Sequence, residues 1–195
     1  TGEAAASLGF AAARQWDRLD LLCRQQAERT DAAGGEAARE TSRTADVVEP
    51  LALECLKLKT LPAEERDAGR LAELEADLRV QRLIAESVAR VLSPATKLWN
   101  TGHGAAVMRE AVSLVGGSGV TQDCPGFLPQ KWMDAQLESI YEGPESVQRR
   151  QLIVTMTHPV FLGQFEQWIS RMRQISSDRP GTGACALASA MDLWL

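Results

Sequence analysis

The 195 residues suit one domain, or one with an appendage, and a composition of 45% hydrophobic and 24% charged residues supplies a core and excludes a disordered chain. A net charge of -5 leaves no basic footprint for nucleic acid, and no uncharged apolar run is long enough to span a bilayer. No signal peptide is visible. The dispersed cysteines Cys23, Cys55, Cys124 and Cys185 show no metal-ligand spacing, so reduced thiols, no metal and a cytoplasmic location are expected.

Recurrent alanine, leucine, glutamate and arginine favour helix over sheet. Residues 4–29 read as a helix, with Ala5, Leu8, Ala12, Trp16, Leu19, Leu22 and Cys23 on one face. The run from Asp31 to Gly35 is expected to end it. A second helix is expected from near Glu36 to Leu58, kinked or broken at Pro50. A third, from about Pro62 to Leu92, carries an apolar stripe of Leu71, Leu74, Leu78, Ile84, Val88 and Val91, which reads as a core face. Ser93 and Pro94 then read as the start of a fourth helix running to about Val115, with Gly102 and Gly104 weakening its middle. His103 and His158, each beside glycine or proline, are expected at helix ends.

Beyond Val115 the chain becomes more specific. Gly116, Gly117 and Gly119 form a cluster open to two readings: a helix C-cap and turn, or exposed amides that hold a phosphate. The cluster follows a helix instead of a strand, so it is not a dinucleotide fingerprint. A short helix is expected over 130–139, and Gly143 with Pro144 reads as the entry to another ending near Thr157. Glu142 lies between Ile140-Tyr141 and Gly143-Pro144. It reads either as a general base raised in pKa by apolar neighbours, or as an acid favoured at the positive end of the next helix. Two last helices are expected near 160–175 and 184–195, parted by the polar break from Asp178 to Gly183. Val160, Phe161, Phe165, Trp168, Ile169 and Met172 give the first of them an apolar face, suited to a bundle, a neighbouring subunit or a membrane surface, with few basic residues for the last. The expected fold is all-α, an antiparallel helix bundle over 1–157 with a helical extension over 158–195.

Taken in order, Glu110-Ala-Val, Gly116-Gly117-x-Gly119, Pro125, Asp134-Ala135, Ile140-Tyr141-Glu142-Gly143 and Val147-Gln148-Arg149 resemble the C-terminal helical domain of acyl-CoA dehydrogenases. The resemblance is strong over 94–157, weaker over 1–93 and absent from His158 onward. It implies an enzyme in which a carboxylate removes the α proton of an acyl-CoA thioester while the β hydride goes to FAD. The carboxylate would be Glu142, with Tyr141 and Gly143 against the substrate. Gly116, Gly117 and Gly119 would let the backbone approach the FAD of a neighbouring subunit, with Ser113, Pro144 and Ser146 at cofactor-contact positions. It further implies a homo-oligomer, dimer or tetramer, passing electrons to electron-transfer flavoprotein.

The chain departs from the family pattern at Ser113, commonly glutamine, at Met133, usually arginine, and at Pro144, usually threonine. About two extra residues fall between Pro125 and Asp134, a turn-length difference. Arg14-Gln15-Trp16 does not match the arginine-phenylalanine-glycine motif of the domain's first helix. The family also carries an N-terminal helical domain and a β-domain, so this chain is expected to be part of a larger catalytic unit. The alternative function is a catalytically inactive dehydrogenase-like bundle, kept for oligomer assembly or for sensing acyl-CoA or flavin.

Overall fold

The computed structural model describes residues 2–33, 45–121 and 126–195, and all of their regular structure is helical. The elements are α1 (Gly2–Ala33), α2 (Ala45–Thr60), a 3-10 turn (Ala63–Glu65), α3 (Ala68–Ala76), α4 (Leu78–Val115), a second 3-10 turn (Gly116–Gly119), α5 (Phe127–Glu138), α6 (Glu145–Met156), α7 (Pro159–Asp178) and α8 (Ala184–Asp192). The all-α class follows the composition. The expected start of a helix near Glu36 lies outside the described residues, as do Gly34 and Gly35.

The main differences from the expected boundaries fall in the third and fourth helices, and α5 begins at Phe127, three residues before the expected start. The third helix begins at Ala68, where the Asp67 carboxylate accepts the Arg70 amide at 2.9 Å. Pro62 instead leads into the short 3-10 turn. The stripe then breaks at Asp77, whose backbone is extended and whose Oδ1 accepts the Arg79 amide at 2.8 Å. Asp77 thus ends α3 and caps α4. Periodicity hides the break, because Leu71 and Leu74 before it and Val80, Ala85 and Val88 after it are all buried.

The expected boundary at Ser93-Pro94 is absent, and α4 runs through Pro94. A proline inside a helix forfeits one backbone hydrogen bond at a cost of about 3 kcal/mol. Pro94 is buried, and next to buried Val91 that burial offsets the loss. α2 also continues through Pro50, which is exposed and lies in its second turn.

The chain divides into two compact units, Thr1–Ala13 with Arg90–Thr155 and Arg14–Ala89 with Met156–Leu195. The second holds the continuous core. α2 packs on α3 and α7, and α8 packs on α7. Val48, Ala52, Cys55, Leu56, Leu71, Leu74, Val80 and Val160 cluster there, with Leu51, Leu53 and Ile84 against them. Gly163 allows the α2–α7 contact, since a Cβ there would meet Leu56 Cδ1 at 3.4 Å. Phe161, Phe165, Trp168 and Trp194 stack edge to face beside it. Burial raises the Cys55 thiol pKa. At the surface Arg70 grips Glu54 with two bonds of 2.9 Å, which hold that carboxyl below its ordinary value.

The first unit is built on the C-terminal part of α4. Asn100 Nδ2 donates to the Ala5 carbonyl and Thr96 Oγ1 to the Leu8 carbonyl, each at 3.5 Å. His103 lies inside this helix, not at an end, because α4 continues through Gly102 and Gly104 on either side of it; Trp99 meets its ring edge-on at 4.4 Å. His158 does sit at a helix end, where Nδ1 accepts the Val160 amide and caps α7. No helix among the described residues is long and apolar enough to cross a membrane.

Candidate functional site

The sequence motifs fall on two turns of the first unit. The first follows α4. Gly116 takes a φ of 71°, in the left-handed region where a side chain is strained, and so closes the helix. Gly119 is buried, and a Cβ there would stand 2.6 Å from the Val112 carbonyl oxygen. That glycine is required by packing. Gly116 and Gly117 differ: nothing lies within 4 Å of where their Cβ atoms would stand. Their backbone is open to a flat partner, and it is flanked by exposed Ser113, Leu114, Val115 and Val120.

The second turn joins α5 to α6 and carries Tyr141, Glu142, Gly143 and Pro144. Glu142 has a φ of 55°, the only non-glycine residue with a positive φ among the described residues. For a residue with a Cβ this conformation costs about 1–2 kcal/mol. Three successive carbonyls around it are tied by side chains from outside the turn. Lys97 Nζ, on α4, donates to the Tyr141 carbonyl and, at 2.9 Å, to the Gly143 carbonyl. Gln148 Nε2, on α6, donates to the Glu142 carbonyl at 3.1 Å. Gly143, at φ 101°, lets Gln148 in, since a Cβ there would lie 2.7 Å from Gln148 Nε2.

The Lys97 ammonium also lies 5.4 Å from the centre of the Tyr141 ring, close enough for a cation–π attraction. The Pro144 carbonyl accepts the Val147 and Gln148 amides and so opens α6. Gly102 on α4 lies beside that helix start, where a Cβ would make only an ordinary contact of 3.9 Å with Glu145 Oε1. Gly104 has open space around it. The Glu142 side chain is exposed, as are Tyr141, Pro144 and Ser146.

The structure therefore brings Tyr141, Glu142 and Gly143 together on one pinned turn, with Pro144 and Ser146 at the helix start beside it. It places Ser113 and the glycines on the other turn. The sequence gives no sign of Lys97, and it shows Gln148 only as part of the Val147–Arg149 motif, without this role. The Gly143-Pro144 turn signals carbonyls outside any helix, but nothing local identifies a lysine in α4 as their partner. Met133 is exposed on α5. Pro125 and Cys124 lie outside the described residues.

The comparisons agree with the motifs. Residues 64–156, just short of half the chain, match the family model described as acyl-CoA dehydrogenase, C-terminal domain. The match begins earlier than the strong motif stretch, taking in α3 and all of α4, and it ends with α6. The all-helical structure is consistent with that domain. No curated protein and no solved structure matches the chain.

Proposed function

We propose that this chain carries the proton-abstracting part of an FAD-dependent acyl-CoA dehydrogenase, with Glu142 as the base. The observation that carries the proposal is the strained, three-point-held turn at Glu142. Non-glycine residues persist in the left-handed region only where their surroundings fix them, and such positions gather at functional sites. Here Lys97 and Gln148 hold the backbone while the carboxylate stays free to act. A base held this way needs little reorganisation to meet an α carbon.

The chemistry assigned to these residues is a proton transfer. The Glu142 carboxylate takes the α proton, and the electron pair of that C–H bond becomes the α,β double bond as the β hydride departs. When bound, FAD supplies the acceptor for that hydride. The open backbone at Gly116 and Gly117 fits a flat cofactor, and Ser113, Gly119, Pro144 and Ser146 complete its expected contacts. Tyr141 and Gly143 would face the thioester.

Exposed apolar side chains of the first unit, among them Leu114, Phe127, Met133, Ile140 and Ile153, support a protein covered by further subunits, in keeping with a homo-oligomer. Electrons would pass on to electron-transfer flavoprotein. The test is spectroscopic. The full-length protein should show a flavin absorbance band that an acyl-CoA bleaches without oxygen. Glu142→Gln should keep the band and slow the bleaching by at least about 100-fold. Normal bleaching in that variant would remove Glu142 from the mechanism. A full-length protein without the band would favour the non-catalytic bundle.

A further inference from the structure

A hollow of about 570 Å³ lies in the second unit, between the C-terminal end of α2 with the chain after it and one face of α7. Its size is that of a small-molecule site. It draws on α7 residues outside the family match, and it stands independently of the acyl-CoA reading. Two guanidinium groups line it, Arg66 and Arg171. Among the described residues neither has a carboxylate within ion-pair distance.

Arg66 is fixed in place. Its Nη2 donates to the Lys59 and Leu61 carbonyls at 3.1 and 2.7 Å, which satisfies the end of α2 and orients the guanidinium. Its Nε is buried and has no acceptor. With Nη2 committed to two carbonyls and Nε out of reach, Nη1 is the nitrogen that Arg66 can turn to a ligand. Across the hollow Arg171 is exposed, and one of its nitrogens donates to Gln174 Oε1 at 2.8 Å, leaving its other N–H groups for a ligand. Gln167 accepts from Gln164 through Oε1 at 2.9 Å, so its own amide hydrogens are available to donate.

The remaining charges do not cancel this balance. Lys59 is paired with Glu75 at 2.8 Å. The only carboxylate in the lining is Glu64, which is exposed. We propose that this groove binds a phosphate-bearing small molecule between Arg66 and Arg171. The planar Arg171 guanidinium can meet two phosphate oxygens along its free Nε–Nη2 edge, Arg66 adds its Nη1, and the amides of Gln167 and Gln174 suit further oxygens.

Calorimetric titration of the full chain tests this with pyrophosphate, inorganic phosphate and citrate at matched ionic strength. Pyrophosphate should bind, and Arg171→Gln should weaken it about tenfold, the loss of one charge-assisted contact. Arg171 is exposed, so that variant should melt with the wild type. Arg29→Gln, an exposed arginine of α1 outside the groove, should bind as the wild type does. Tighter pyrophosphate than phosphate would assign linked phosphates, and equal affinity a single phosphate. No binding at millimolar pyrophosphate, equal affinity in Arg171→Gln, or citrate matching pyrophosphate would overturn the proposal.

Discussion

The two compact units solve opposite problems. In the second, large side chains such as Leu56, Leu74, Val80, Val160 and Phe161 are withdrawn from water around α2 and α7. In the first, the buried apolar residues among those described are small, Ala12, Val91, Pro94, Pro129 and Ala135, while Phe10, Leu114, Ile140 and Ile153 stay exposed. Stability is concentrated in one unit and the candidate chemistry in the other. A unit that holds a strained glutamate by polar ties instead of by a core is built to present a surface. Its own packing contributes little.

The comparison is open to attack by substitution, and the largest effect falls in the core. Leu56→Ala should cost about 2–5 kcal/mol in denaturant unfolding, because α2 is packed on two sides and cannot collapse into the cavity. A loss below about 1 kcal/mol would mean that the core is not where the stability lies.

Next comes the pinned turn. Lys97→Met removes the donor to two carbonyls and should cost about 1 kcal/mol, since the group is partly exposed. It should also speed proteolysis at Tyr141–Pro144 more than anywhere else. Unchanged cleavage there would show that Lys97 does not hold the turn.

A similar loss, about 1 kcal/mol, is expected for Asp77→Ala, which uncaps α4. The hydrogen bond from Arg79 holds the Asp77 carboxyl below its ordinary value, as Arg70 does for Glu54. Both therefore add stability that is complete above ordinary carboxylate values near 4 and is lost as pH falls below them. Asp77→Asn, which keeps a capping side chain but not the charge, should flatten the acid limb of a melting-temperature profile. The smallest effect is predicted for Leu114→Ala: within about 0.5 kcal/mol, as the side chain is 87% exposed. A core-sized loss would contradict the division between the units.

Much of this was legible in the sequence, and what was not has physical causes. Helix content followed from composition, and the apolar stripes located α1, α3 and the first part of α4. The break at Asp77 escaped because the stripe keeps its phase across it, and the capping aspartate looks like any surface acid. The helix through Pro94 escaped because a Ser-Pro pair reads as a start, while burial of that proline is a tertiary effect. At the site, Gly116 followed from its place at a helix end. The left-handed backbone at Glu142 and its tie to Lys97 did not, because they join residues far apart in the chain.

The most direct measurement of the central claim isolates the proton step. The flavin-loaded full-length protein, reduced so that no hydride can leave, is incubated in D2O with an acyl-CoA, and deuterium at the α carbon is followed by mass spectrometry. The account predicts steady exchange with the wild type and, with Glu142→Gln, exchange slowed at least about 100-fold. Equal exchange in the two proteins would contradict the assignment of Glu142 as the base.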